Sequence, residues 1–337
     1  MSVACRVLLT VSLFASIAGV GPAQAGPINV KPAATQQYVI ISFDGAHDIA
    51  QWKRSRALAA QTGARFTYFL SCVFLLSKET RGEYRAPGNR AGRSQVGFAQ
   101  TKSEVAERLG QIRLAAAEGH ELASHACGHF DGKDWSETDW LEEFSSFRRI
   151  MAEAYTINDI EEPEDWRRFA ESAVSGFRAP YLSTSAALYG ALEAAGLRYD
   201  ASGVSQGPVH PHLEGGVERF SLPQIPEGPK ARRVIAMDYN LFVRHSGGFE
   251  RPDEAAAFQE RSYEAFKAAF DAQYEGGRAP LQLGFHFTLM NDGAYWNALE
   301  QFAGEVCGKA DVVCTSYADY LGRMQVTGET AAPSAGG

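Results

Sequence analysis

Two histidines, His125 and His129, stand four residues apart after a short apolar segment, and their side chains are suited to metal binding. The segment covers residues 121–124, and a small turn that contains Gly128 separates the two imidazoles. Neutral imidazole is the commonest protein ligand for zinc-like metals, and two rings on one turn can reach the same ion. The chain has eight histidines, so the spacing alone could arise by chance. The neighbouring residues therefore have to decide.

Polar residues follow the apolar segments of this chain with unusual regularity. Short apolar segments alternate with helical patterns, which is typical of a parallel α/β layer structure. Six such segments are followed at once by a polar or charged residue: Asp44, His125, Arg178, Asp200, Asp238 and His286. In a barrel of parallel strands the carboxyl ends gather around one mouth, where strand-end side chains build the site. We predict a single-domain α/β fold, a distorted (β/α) barrel of about seven parallel strands.

The elements that must position these residues can be read from the hydrophobic pattern. Strands are predicted at residues 38–43, 65–70, 121–124, 174–177, 197–199, 233–237, 281–285 and 312–314. Helices are predicted at residues 49–60, 102–118, 185–195, 252–274, 294–306 and 317–324, with a further helix that begins at Ser136 in a capping box with Asp139. Two stretches rich in glycine, proline and arginine, residues 77–100 and 205–230, read as long loops.

In this order the strand-end residues resemble the polysaccharide deacetylases of carbohydrate esterase family four, over roughly residues 38–321. The motifs of that family are Thr-Phe-Asp-Asp-Gly, His-x-x-x-His, Arg-x-Pro-Tyr, a motif led by Asp, and Leu-x-His. The matching residues here are Ser42-Phe43-Asp44-Gly45-Ala46, His125 with His129, Arg178-Ala179-Pro180-Tyr181, Asp200, and Gly284-Phe285-His286. The resemblance implies hydrolysis of N-acetyl groups on an N-acetylhexosamine polysaccharide.

The resemblance also implies a catalytic role for four residues. Asp44 would be the general base and His286 the general acid. Arg178 would orient Asp44 and keep it ionised, and Asp200 would do the same for His286. Asp238, in Met237-Asp238-Tyr239-Asn240, has a similar position after a strand and remains an alternative to Asp200.

Ligand and substrate roles follow from the same resemblance. His125 and His129 would hold a divalent metal, zinc or a similar ion, which polarises the acetyl carbonyl and binds the attacking water. Pro180 and Tyr181 would form part of the sugar groove, and the backbone N–H of Tyr181 would donate to the oxyanion. The expected partner is an N-acetylated glycan.

One departure from the family pattern concerns the metal. The second aspartate of the first motif is the usual third metal ligand of the family, and Gly45 occupies that position here. Catalytic zinc normally takes three protein ligands plus water, so His125 and His129 alone would make a weak site. His47 or Asp48, just downstream, could complete the set. Asp44 could also shift from base to ligand, which would leave the base role vacant.

Competing functions follow from this departure. The first is an exported, metal-dependent hydrolase of non-peptide C–N bonds that removes N-acetyl groups. The second is a catalytically silent glycan-binding protein on the same scaffold, and the third is a metal-free amidase. Asp44, Arg178 and His286 favour an enzyme, because a binding protein has no need of them.

Four cysteines fall within the predicted domain. Cys307 and Cys314 are close in sequence, and Cys72 and Cys127 each follow a predicted strand, so that they could meet if those strands are neighbours. Sequence alone leaves three pairings open, beside the alternative of four buried thiols.

The two ends of the chain differ from the predicted domain at residues 37–325. Arg6 precedes an apolar segment, and Ala23-Gln24-Ala25 supplies the small residues of a cleavage site. We predict a signal peptide at residues 1–25, a linker at 26–36, a flexible tail at 326–337 and export to the periplasm or medium. The net charge of −8 argues against nucleic acid as a partner, and membrane insertion is not expected.

Overall fold

The computed structural model describes residues 36–327. The predicted signal peptide, nearly all of the predicted linker and most of the predicted tail lie outside the described residues. The strands are β1 (Gln37–Gly45), β2 (Thr67–Leu70), β3 (Glu121–Ser124), β4 (Val174–Phe177), β5 (Tyr199–Ser205), β6 (His212–Glu214), β7 (Val217–Glu227), β8 (Arg232–Ile235), β9 (Leu281–His286) and β10 (Val312–Thr315). The helices are α1 (Ile49–Thr62), α2 (Lys102–Ala117), α3 (Glu137–Ile157), α4 (Trp166–Ser172), α5 (Ala186–Ala194), α6 (Asp238–Ser246), α7 (Ala255–Glu275), α8 (Ala294–Val306) and α9 (Tyr317–Thr327).

Strand β1 is the centre of the sheet, and nearly all of its residues are buried. Such a continuous apolar strand is typical of a parallel sheet that is covered on both faces. It pairs in parallel with β10 along its first half, with β2 along its second half and with β9 over most of its length. The order then continues in parallel through β2, β3, β4, β5 and β7. The predicted α/β fold with a parallel, barrel-like sheet is confirmed.

The two ends of the parallel array meet at a seam formed by residues 236–237. The Ala236 N–H donates to the carbonyl of Pro223 in β7, and the Gly284 N–H in β9 donates to the carbonyl of Ala236, both at 2.9 Å. Met237 and Gly284 also form a parallel bridge. A short extended segment, rather than a full strand ladder, therefore joins β7 to β9.

Helix starts follow the capping chemistry of the sequence. Ser136 and Asp139 form the predicted capping box at the start of α3. At the start of α1, the Asp48 side chain accepts a hydrogen bond from the Gln51 N–H, which satisfies one of the free amides of the first turn. The helix ends at Gly63, whose φ of +71° is a left-handed conformation that glycine adopts without strain.

The prediction of a long loop at residues 205–230 is wrong. This stretch contains β6 and β7, and β8 runs antiparallel to β7 rather than parallel to it. Strand β7 buries Phe220, Leu222 and Ile225, but Pro223 and Pro226 interrupt the sequence and favour a loop assignment. Asp238 begins a helix, α6, that the sequence did not indicate, and α4 was also not predicted.

Among the helices within residues 36–327, none is both long enough and apolar enough to cross a membrane.

Candidate functional site

The carboxyl ends of β1 and β9 bring Asp44 and His286 together. The two strands are in parallel register, with Asp44 directly opposite His286. Asp44 is buried, whereas the side chain of His286 keeps 30% of its surface exposed. A buried carboxylate and a partly exposed imidazole therefore lie side by side on neighbouring strands, at the edge where parallel strands place their functional residues.

Arg178, at the end of β4, is bonded to Asp44 inside the barrel. Its Nη1 donates to Asp44 Oδ1 at 2.8 Å and to Ser42 Oγ at 2.9 Å. Its Nε donates to the Ala201 carbonyl, and its Nη2 donates to the Tyr317 hydroxyl. The guanidinium is fully buried, so these contacts fix it in one orientation.

The charge state of Asp44 follows from this pairing. Burial alone would raise the pKa of the Asp44 carboxyl, because it penalises the charged form. The Arg178 charge, together with nearby His125 and His286, outweighs burial and lowers the pKa below its ordinary value of 3.8. Asp44 is therefore a carboxylate at neutral pH, which is the state that a general base requires.

The turn after β3 places the imidazoles of His125 and His129 close together. Their ring centroids lie 5.0 Å apart, and His125 Nδ1 is 2.8 Å from the Arg178 carbonyl oxygen. Burial lowers the pKa of His125 to about 3, and burial also lowers that of His129. Both rings are therefore neutral near pH 7, which leaves His125 Nε2 free to act as an acceptor or ligand.

Contacts from outside β3 hold this turn. The Cys127 N–H donates to Glu143 Oε1 in α3 at 2.8 Å, and the Gly128 N–H donates to the Tyr84 hydroxyl at 3.1 Å. That hydroxyl in turn donates to Glu143. Cys127 is also bonded to Cys72 by a disulfide that ties the turn to the end of β2.

The disulfide between Cys72 and Cys127 joins the neighbouring strands β2 and β3, as that pairing required. Cys307 and Cys314 form a second disulfide, so both pairs considered from the sequence are bonded. Glu143 and Tyr84 belong to none of the motifs that pointed to the site. A signal for Glu143 was present, because it lies on the same helical stripe as Trp140 and Phe147, where a carboxylate is unexpected.

Glu143 should make the stability of the protein depend on pH. Burial raises the pKa of its carboxyl from 4.5 to about 7. The folded state therefore holds the proton more tightly than the unfolded state, and the contribution is complete below pH 4.5 and is lost as pH rises toward 7. The span of the shift corresponds to about 3 kcal/mol. In Glu143→Gln, the free energy of unfolding should therefore change by about this amount less between pH 4.5 and pH 7 than in the wild type. Urea denaturation at each pH measures this change.

Glu142→Gln, an exposed neighbour on the same helix, is the control. The difference in free energy of unfolding between wild type and Glu142→Gln should be the same at each pH. A Glu143→Gln variant that kept the full pH dependence would contradict the prediction.

The partner of His286 is Asp238. The prediction that Asp200 orients His286 is therefore wrong. Asp238 Oδ1 lies 2.7 Å from His286 Nδ1, and Asp238 Oδ2 accepts from the His286 backbone N–H at 2.8 Å. The seam explains the choice, because the bridge between Met237 and Gly284 brings the next residue, Asp238, to the end of β9. Strand β5, which carries Asp200, pairs instead with β4 and β7.

Asp200 has a different set of contacts. Its Oδ1 accepts from the Ser202 hydroxyl, and the Ser202 hydroxyl oxygen accepts from the Ala179 N–H at 2.8 Å. Burial raises the pKa of Asp200 to about 6. Asp200 therefore supports the backbone that follows Arg178 and does not orient His286.

The residues expected to line the groove adjoin the histidine turn. Tyr181 has a φ of +58° and an exposed ring, whose centroid lies 4.9 Å from that of His129. Its hydroxyl donates to the side chain of Gln95, in the long loop at residues 77–100. Pro180 is buried beneath it. The ring of Tyr239 is also exposed, and its centroid lies 6.3 Å from that of His286.

A zinc centre needs a third protein ligand, and the described residues do not supply one. Within residues 36–327, no three His, Cys, Asp or Glu side chains are grouped to hold a metal ion. The Asp48 carboxylate caps α1, and the His47 ring stacks on Phe74 at 5.0 Å. The neutral imidazoles of His125 and His129 are suitable ligands, but they form an incomplete set. Zinc as the cofactor stays a prediction.

Gly45→Asp should strengthen zinc binding. A Cβ at Gly45 would lie 3.8 Å from Cε2 of Phe74, so the site has room for a side chain. The φ of +83° costs a non-glycine residue about 1–2 kcal/mol, which should appear as a lower melting temperature. We expect zinc affinity to rise by at least about tenfold, because a carboxylate adds a third ligand. Isothermal titration calorimetry with zinc alone measures this change.

Gly45→Asn is the matched control, because it has the same shape and backbone cost without the charge. The gain should also disappear when His125→Ala is combined with Gly45→Asp. Equal zinc affinity in wild type and Gly45→Asp would show that this position does not face the two imidazoles.

Comparison with known proteins supports the fold. No protein-family model and no curated protein matches the chain. A protein described as a polysaccharide deacetylase from Mycobacterium smegmatis superposes with a TM-score of 0.54 at 15% identity, over 90% of this chain and 95% of the other. A second protein so described, from Pseudomonas aeruginosa PAO1, has a TM-score of 0.54 at 15% identity, over 88% and 92%. Puue allantoinase gives a TM-score of 0.52 at 15% identity, also over 88% and 92%.

This chain therefore has the polysaccharide deacetylase fold, as its motifs led us to expect. At 15% identity the likeness extends to the fold alone, which also serves a protein described as an allantoinase.

Proposed function

We propose that the protein is a hydrolase that removes N-acetyl groups from N-acetylated glycans, with Asp44 and His286 as its acid–base pair. The observation that carries the proposal is the opposite bias in the charge states of two neighbouring residues. Arg178 and the protonated His286 keep Asp44 ionised. Burial lowers the pKa of His286, but the Asp238 carboxylate outweighs burial and raises it above 6.5. A base without its proton and an acid with its proton are what amide hydrolysis needs.

The reaction would proceed by direct attack of water. Asp44 takes a proton from the water while the water oxygen forms a bond to the acetyl carbon. His286 then gives a proton to the amide nitrogen as the C–N bond breaks. The products are acetate and a free amine on the sugar. The backbone N–H of Tyr181 is the proposed donor to the carbonyl oxygen as it becomes negative.

The side chains around the pair suit a sugar substrate. The exposed ring of Tyr181 lies beside His129, and that of Tyr239 lies beside His286. Exposed aromatic rings give flat apolar surfaces on which a sugar can stack while its hydroxyl groups stay hydrated. A glycan that passes between the two rings would present its acetamide to the pair.

Release of acetate from N-acetylglucosamine oligosaccharides tests the proposal. Wild-type protein should release acetate in proportion to enzyme concentration, and heat-denatured protein should release none. Binding of the same oligosaccharides without acetate release would instead support a glycan-binding protein. Absence of both would overturn the glycan assignment.

A second candidate is an amidase that acts without a metal on another amide. The incomplete ligand set at His125 and His129 favours it. Hydrolysis that persists in the presence of a chelator, together with absence of acetate release from glycans, would support this candidate.

We also propose that the protein acts outside the cytoplasm after removal of residues 1–25. The two disulfides support this location, because they form and persist in oxidising compartments. N-terminal sequencing of the protein recovered from the periplasm or medium tests the location. A mature chain that begins at Met1 would contradict it.

A further inference from the structure

A cavity of about 330 Å³ lies beside the candidate site and has no part in the chemistry described so far. None of Asp44, His125, His129 or His286 lines it. Its lining has an aromatic and apolar part, formed by His47, Phe74, Val96 and Phe98, and a charged part, formed by Lys78, Arg81, Arg108 and Glu104. The volume falls within the range of about 300–1,000 Å³ that is usual for small-molecule sites.

Phe74 connects this cavity to the catalytic pair. Its ring stacks on His47 on the cavity side. The same ring lies 3.8 Å from the Cβ position of Gly45, the residue that follows Asp44. One aromatic side chain therefore separates the cavity from the end of β1.

The charged part of the lining is positive after its internal pairs are removed. Arg108 is almost fully buried, and its guanidinium donates to Glu104 at 2.6 Å and to the carbonyls of His47 and Phe74. Glu104 also accepts from the Gln100 N–H, so its carboxylate is used within the fold. The charges of Lys78 and Arg81 remain.

Lys78 and Arg81 are the two cations of the cavity lining whose charges are not paired within the described part of the fold. Nearby Lys102 pairs with Asp159, and Arg149 pairs with Glu83. The side chains of Lys78 and Arg81 have no hydrogen-bond or ion-pair partner among residues 36–327, and both are exposed at the cavity. In a chain of net charge −8, such an unpaired positive pair attracts anions locally.

We propose that this cavity binds a carboxylate-bearing sugar beside the N-acetylated one, so that the natural substrate is an acidic glycan. The proposal deepens the proposed function and rests on it. The sugar ring packs on Val96 and Phe98, while Lys78 and Arg81 bind the carboxylate with charge-assisted hydrogen bonds. A neutral sugar fills the same space but leaves both cations unpaired, and selectivity follows from that difference.

Calorimetry with three tetrasaccharides tests the proposal. The first alternates N-acetylglucosamine with glucuronic acid, the second is the same molecule with its carboxylates reduced to alcohols, and the third is all N-acetylglucosamine. The acidic one should bind at least about tenfold more tightly than its reduced form, a difference of about 1.4 kcal/mol. Added salt should narrow the gap, because the contact is partly exposed.

Lys78→Gln and Arg81→Gln should each lower the affinity for the acidic tetrasaccharide several-fold and leave the affinity for the reduced one unchanged. Arg90→Gln is the control, because it is exposed on the same loop and does not line the cavity. Equal affinity of the acidic and reduced forms for wild-type protein would overturn the inference. Acetate release from the neutral tetramer would still stand as evidence for the proposed function. Selective acidic binding without acetate release would support the cavity and reject the hydrolase.

Discussion

Asp44→Asn should lower kcat for acetate release by about 10³-fold. The amide keeps the shape of the carboxylate and can accept from Arg178, but it cannot take a proton from water. The buried Arg178 would also lose its counter-charge, which costs about 3 kcal/mol or more of stability. We therefore expect a large fall in kcat and a lower melting temperature, measured by steady-state kinetics and by thermal unfolding.

Asp48→Asn is the matched control for Asp44→Asn. It makes the same chemical change four residues away, and asparagine caps a helix about as well as aspartate. This variant should keep wild-type kcat and melting temperature. Folded Asp44→Asn protein, judged by its near-ultraviolet circular dichroism, that retained wild-type kcat would remove Asp44 from the chemistry.

Asp238→Asn should lower kcat by about 10²-fold and move the alkaline limb of the pH–rate profile to lower pH. The acid form of His286 is the active one, so activity falls as pH rises through its pKa. Burial lowers that pKa, and the Asp238 carboxylate is what raises it above 6.5. Without that charge the pKa falls and the limb follows it. A kcat profile across the neutral range measures both effects.

Asp200→Asn separates this role from mere burial of an acid. Asp200 is as deeply buried as Asp238, but it bonds to Ser202 and not to His286. The limb should therefore stay in place when Asp200 is changed. A shift of the limb in Asp200→Asn, with none in Asp238→Asn, would restore the assignment made from the motif order.

The sequence was informative where one strand and its last residue sufficed. The apolar segments before Asp44, Arg178 and His286 end at the mouth in both the prediction and the structure. The partner of His286 depended on which segment lies next to β9, and this is decided by how the two ends of the parallel array meet. Asp200 and Asp238 both follow apolar segments, and only the bridge from Met237 to Gly284 distinguishes them.

The third ligand shows a second limit of sequence reasoning. His47 and Asp48 are close to Asp44 in the chain, and this suggested that either could reach the two imidazoles. Local structure decided otherwise, because the free amides at the start of α1 bind the Asp48 carboxylate and Phe74 stacks on His47. Short-range competitors of this kind leave no pattern in the spacing of ligand residues.

Because of the seam at residues 236–237, the contact between Asp238 and His286 should open at a lower free energy than the contact between Asp44 and Arg178. Single backbone hydrogen bonds link Ala236 to Pro223 and to Gly284, whereas β1 to β3 are joined by longer ladders. Local opening of the seam would carry Asp238 away from His286 while Asp44 and Arg178 stay paired. Regions with few backbone bonds open at lower free energy than the rest of a domain. Hydrogen exchange at the Gly284 amide would then report the fraction of molecules that are ready to donate a proton.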